Sequence, residues 1–163
     1  MEADKAMETR TLDQIIAAHP FFAGLPPSTC KLIAGCGRNV RFDPDESILR
    51  QDDPADTFYV IRHGRVALET RGSGQPMVFQ TLGGGDILNA SWLVPPYRCA
   101  SDARAVETTL AFAFDAVCLR EKCEADHHLG YELMKRFVPV MIERLSHARM
   151  QAMDIYAVEK GGR

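Results

Sequence analysis

No stretch of this 163-residue chain is apolar for long enough to cross a membrane as a helix, which takes about 20 such residues. There is no basic excess either. A net charge of −3 argues against a dedicated nucleic-acid binder. Met1 to Arg10 is charged and lacks the apolar core of an export signal, so a cytoplasmic location is expected. There is no close cysteine pair: the five lie scattered, at Cys30, Cys36, Cys99, Cys118 and Cys123. The odd number without an export signal favours reduced thiols, expected as small buried hydrophobes, and no pair has the spacing of a zinc site. Also missing are a nucleophile elbow, a His-x-x-x-His pair and a phosphate loop ending in Gly-Lys-Ser/Thr. Enzymatic chemistry therefore has no evident carrier, and the carboxylates Asp43, Asp45 and Glu46 read as a turn.

What is present fits one domain over residues 1–163, with helices over 11–37, strands over 38–114 and helices over 115–158. Thr11 to Ala18 reads as a short helix ended by His19-Pro20, and Ser28 as the cap of a second that stops near Gly35 to Gly37. From Arg38 the period becomes two. Turns at Asp43 to Glu46, His63-Gly64 and Gly72-Ser73-Gly74 separate about eight short strands, the pattern of a sandwich or barrel. Asp115 opens a helix, and Asp126 caps a longer one reaching about Val158, with His127-His128 as a polar first turn. Pro139 predicts a kink in that helix without ending it.

On the last helix Tyr131, Met134, Val138, Met141, Leu145, Ala148, Ala152 and Ile155 alternate at three and four, which predicts a parallel homodimer seam. Leu129, Leu133, Phe137 and Ile142 are expected to anchor the other flank to the strands. That helix has no basic face, and seven residues after Tyr156 are too few for a helix-turn-helix, so this chain alone is not expected to bind DNA.

Gly83 to Ala105 draws attention as a glycine run, a short apolar segment, Pro95-Pro96, and Arg98 beside small and hydroxyl residues. Glycine N–H groups and an arginine fork suit an anion. The order of elements, with Tyr59-Val60-Ile61-Arg62-His63-Gly64-Arg65-Val66 and Leu82-Gly83-Gly84-Gly85-Asp86, resembles the cyclic-nucleotide-binding domain, over roughly Leu12 to Tyr156. The layout is most similar to the sensor domains of bacterial regulators related to the catabolite activator protein, without a DNA-binding domain. The resemblance implies an α+β fold: a double-stranded β-roll of about eight strands, short N-terminal helices, a hinge helix and a long C-terminal helix.

It also implies a phosphate-binding cassette, placed here at Gly85, Asp86, Leu88, Asn89, Ala90, Ser91, Arg98, Cys99, Ala100 and Ser101. Family members that bind cyclic nucleotides usually carry Phe-Gly-Glu, where this chain has Leu88-Asn89-Ala90. Ala90 thus stands where the family's ribose-binding glutamate does. Arg98 falls about one residue short of the common spacing, and Trp92 brings an indole that is expected in the core or in space a purine or ribose would need. The reading is a non-enzymatic sensor with a degenerate cassette, acting as a dimer through a partner protein. Its ligand would be a weakly bound cyclic nucleotide or another small molecule. The alternatives are a genuine cyclic AMP or GMP receptor and a ligand-free scaffold.

Overall fold

Side chains alternate along β3 (Thr57–His63), and the two faces of that strand divide the core. Phe58 and Val60 enter a large apolar cluster beneath the helices, while Ile61, with Tyr59 beside it, enters a smaller one. In this computed structural model, which describes residues 10–71 and 74–161, eight strands form two four-stranded antiparallel sheets. The first has the order β1 (Gly37–Phe42), β8 (Thr109–Asp115), β3, β6 (Ile87–Leu88). The second has the order β2 (Ser47–Leu49), β7 (Asp102–Ala105), β4 (Val66–Thr70), β5 (Met77–Leu82). The smaller cluster joins residues of both sheets, among them Val66, Leu68, Leu82, Leu88 and Ala103.

Four helices complete the chain: α1 (Leu12–Ala18), α2 (Pro27–Ala34), α3 (Ala116–Ala125) and α4 (His127–Gly161). The Thr11 N–H bonds the Gln14 side chain at the start of α1. α2 starts two residues earlier than a Ser28 cap would place it: Pro27 takes the first helical position, where a missing N–H costs nothing, and Ser28 lies inside the turn. Asp115 caps α3 by accepting the Cys118 N–H, and Asp126 accepts the N–H groups of His128 and Leu129. The expected turn at Gly72-Ser73, the charged Met1–Thr9 segment and the last two residues of the tail lie outside the described residues.

Leu129, Leu133 and Phe137 of α4 are buried against the first sheet and α3, each worth about 1.5–3 kcal/mol relative to exposure. Ile142 is not the fourth anchor. Five residues beyond Phe137 turn it about 140° around the axis, and it is 60% exposed, while Val140 and Met141 continue the packed face. The helix runs without interruption through Pro139. Among the described residues, no helix is long and apolar enough to cross a membrane.

Candidate functional site

The glycines before the cassette serve the backbone of β3. The Gly85 N–H bonds the Ile61 carbonyl at 2.7 Å, and the Ile61 N–H returns to the Asp86 carbonyl at 2.9 Å. Gly85 has φ +90°, and a Cβ on Gly84 would lie 2.8 Å from the Arg62 carbonyl oxygen, so the turn needs glycine at both. Asp86 closes it by accepting the Gly83 N–H at 2.8 Å. Gly85 and Asp86 therefore shape the entry to the cassette, beside rather than within the lining of the cavity described below.

β6 follows, a two-residue strand on the edge of the first sheet that turn signals alone do not reveal. Asn89 then takes a left-handed conformation (φ 73°), held by its Nδ2 donating to the Thr57 carbonyl at 2.7 Å. A short amide side chain tolerates that conformation with little strain. Ala90 opens a 3-10 turn ending at Leu93, and Ser91 Oγ donates to the Arg98 carbonyl at 2.7 Å.

Trp92 points away from the cassette face. It is fully buried, stacked on Phe58 at 4.7 Å and edge-on to Phe137 at 5.2 Å. It does not occupy the cavity described below, so of the two expected placements only the core one is realised.

Arg98 and Cys99 lie on an extended ribbon against residues 52–55. Cys99 donates to the Asp53 carbonyl and accepts from the Asp52 N–H, and the Ala55 N–H bonds the Tyr97 carbonyl. Neighbours on such a ribbon face opposite ways. Because Cys99 is buried, with its thiol pushed upward by burial, Arg98 is turned outward and its guanidinium donates to the Asp52 carbonyl at 3.5 Å. Cys99 faces a separate recess of about 140 Å³ beside Tyr59.

The remaining cassette residues come together. Leu88, Asn89, Ala90, Ser91, Ala100 and Ser101 line one side of a cavity of about 250 Å³ between the roll and α4. Leu49, Leu68 and Phe79 form its floor, and Met141, Arg144, Leu145 and Ala148 of α4 form its roof. The lining is apolar apart from Thr70, Asn89, the two serines and one cation, Arg144.

Arg144 is the residue that sequence reading passes over. It donates to the Ile87 main-chain carbonyl and forms no salt bridge among the described residues. Burial pulls its guanidinium down to about 10, against the opposing fields of Asp86 and Glu143. The signal was in the register: Arg144 sits seven residues from Phe137, on the packed face, where a solvated arginine has no place.

The exposed stripe of α4 starts as expected, with Tyr131, Met134, Val138 and Leu145 in solvent. Met141, Ala148 and Ile155 are instead half-buried. A heptad drifts about 20° per repeat on a straight helix, which carries them toward the roll and brings Ile142 into the stripe. Met141, Leu145 and Ala148 belong at once to the expected seam and to the cavity roof.

Comparison with known proteins matches this arrangement. The model of the cyclic nucleotide-binding domain fits residues 39–126. The chain is 23% identical over 153 residues to the CRP-like cAMP-activated global transcriptional regulator of Mycobacterium tuberculosis, covering 93% of this chain and 66% of that one. A 72-residue stretch is 38% identical to the acetyltransferase Pat of Mycolicibacterium smegmatis, covering 44% of this chain and 21% of that enzyme. A crystal structure assigned to cyclic nucleotide binding, from Geobacter metallireducens, superposes with a TM-score of 0.74 at 25% identity, over 83% of this chain and 98% of that one. With over half of its residues matched by the family model, the chain belongs to the cyclic nucleotide-binding domain family.

Proposed function

We propose that this chain is a non-enzymatic regulatory domain whose cassette has lost its nucleotide contacts, and whose cavity takes a small molecule with an apolar body and one anionic group. The carrying observation is the exchange of arginines: Arg98 faces out to Asp52, while Arg144 enters the cavity from α4 without a carboxylate partner among the described residues. A half-buried guanidinium among Leu49, Leu68, Phe79 and Leu88 favours an anion that replaces lost water. Ser91 and Ser101 offer hydroxyls nearby. At about 250 Å³ the cavity is below the range of roughly 300–1,000 Å³ usual for drug-sized ligands.

Cyclic nucleotides fit this site poorly. Ala90 presents no carboxylate to a ribose hydroxyl, and a charge-assisted hydrogen bond of that kind contributes about 1.5–3 kcal/mol. Its loss alone is roughly 10- to 150-fold in affinity.

The domain works as a homodimer through α4. A 35-residue helix is about 52 Å long, and its exposed apolar stripe is self-complementary under a two-fold axis. Output passes to a partner protein in the cytoplasm. The stretch shared with the acetyltransferase is 21% of that protein, and acetyl transfer forms no part of this reading.

Titration calorimetry of the full chain with cyclic AMP and cyclic GMP tests the reading. Dissociation constants in the high micromolar range or weaker are expected, and low-micromolar binding of either would overturn it.

A further inference from the structure

We propose that Cys36 and Cys118 form a two-cysteine oxidation site, which a low-molecular-weight disulfide converts into a bridge between the α2–β1 junction and α3. Their sulfurs lie 3.0 Å apart, one thiol donating to the other across 82 residues of sequence. A disulfide bond is about 2.05 Å, so closing it asks for a shift of roughly 1 Å.

The main chain already holds the two sites together. The Asp115 N–H bonds the Cys36 carbonyl at 2.9 Å, continuing the ladder that pairs Gly37 with Phe114. Cys118 follows in the first turn of α3, its own N–H tied to the Asp115 carboxylate. Gly37 leaves no slack: a Cβ there would meet Leu12 Cδ2 at 2.6 Å and Phe114 Cε1 at 2.9 Å.

The pair also differs from the other thiols in access. Cys30, Cys99 and Cys123 are buried, whereas Cys36 and Cys118 are half-exposed and within reach of a solute. Burial, with Cys118 beside it, pushes the Cys36 thiol up to about 12, so Cys36 is a poor first nucleophile. Cys118, the half-exposed partner in the first turn of α3, attacks first.

With oxidised glutathione as co-reactant, the Cys118 thiolate attacks one sulfur, forming a mixed disulfide and expelling one glutathione thiolate. Cys36 then gives its proton to solvent and attacks the Cys118 sulfur, expelling the second glutathione. Two protein thiols lose two electrons and two protons, and one glutathione disulfide becomes two thiols. The bridge pins α3 to the end of α2, and α3 is joined to α4 through Asp126 alone. The redox state of the pair thereby sets the freedom of the root of α4.

The test exposes the native full chain to oxidised glutathione and follows thiol titration, intact mass and peptide mapping. The expected result is a fall in reactive thiols from two to none, a mass lower by two hydrogens and a Cys36–Cys118 cross-linked peptide, all reversed by dithiothreitol. Thermal unfolding of the oxidised form should shift upward. Cys36→Ser should instead retain one glutathione on Cys118, and Cys118→Ser should retain none. Unchanged mass, a stable mixed disulfide in the natural sequence, or cross-links through Cys30, Cys99 or Cys123 would each overturn the proposal. Mapping of the unsubstituted chain decides the matter even where a variant fails to fold.

Discussion

Arg144 of α4 donates a hydrogen bond to the main-chain carbonyl of Ile87 in β6, tying the roof of the cavity to the first strand of the cassette. The guanidinium is held at about 10, below its ordinary 12.5, because burial disfavours its charge. For a base with a lowered value, the charged form is a cost to the fold at neutral pH, relieved only as pH rises through about 10 toward 12.5. Arg144→Met should therefore raise the Tm of the free protein by about 2–4 °C, corresponding to ~1 kcal/mol in a chain of this length. Hexanoate, with an apolar body and one carboxylate, is a probe of the cavity that should stabilise the natural sequence, and the same variant should lose that stabilisation. Scanning calorimetry with and without hexanoate checks both, and a lower Tm in Arg144→Met would contradict the account.

Trp92 offers a second measurement. It lies between Phe58 and Phe137, and its indole N–H has no hydrogen-bond partner among the described residues. Trp92→Ala should cost about 3–5 kcal/mol in urea denaturation, as for other fully buried aromatic residues. Trp92→Phe should cost less, since it keeps a stacked ring and removes an unpartnered donor. Affinity for hexanoate, per folded molecule, should change in neither variant.

Much of this architecture can be read from the chain. The hairpin strands either side of His63-Gly64, the caps Asp115 and Asp126 and the long helix after them are local signals, and each appears where expected. The cassette was legible as a place but not as a set of contacts. Whether Arg98 or Cys99 faces inward depends on how residues 97–99 pair with 52–55, a long-range register that spacing does not encode. β6 is two residues long and leaves no periodic trace. Arg144 was hidden by a different habit, since an arginine on a long helix is read as solvated unless its angle to Phe137 is worked out.

The nucleotide contacts can be probed by exchanging the two divergent positions. Arg98→Ala should change cyclic AMP affinity by less than about threefold, because that side chain faces Asp52 outside the cavity. Ala90→Glu returns a carboxylate to the cavity wall and should raise affinity by roughly 10- to 150-fold. Calorimetry reads both, and a large loss in Arg98→Ala would move the phosphate site back to that residue.

The proposed dimer stripe makes its own prediction. Val138→Asp and Ile142→Asp both place a charge on the exposed apolar face and should give monomers in sedimentation velocity. Ile142 separates the structural stripe from the strict heptad, in which it has no part. An unchanged dimer in Ile142→Asp, with dissociation in Val138→Asp, would restore the heptad register.

Alkaline stability should depend on Cys36. Its thiol is raised from 9.0 to about 12 in the fold, so the unfolded chain releases this proton first. The contribution is fully present below pH 9 and is lost as pH rises toward 12. Cys36→Ala should flatten the fall in stability across that window, measured by urea midpoints under reducing conditions. An identical slope in the variant would show that other groups govern it.

A bend at Pro139 would give α4 the mechanics of a lever. Proline supplies no N–H to the Lys135 carbonyl, and the last fully buried side chain of the helix, Phe137, lies just before it. A pivot there leaves Arg144 about 8 Å along the arm and Val158 about 28 Å along it, at roughly 1.5 Å per residue. A displacement of about 1 Å at Arg144 would then become roughly 3–4 Å at Val158, a mechanical gain set by nothing more than residue count.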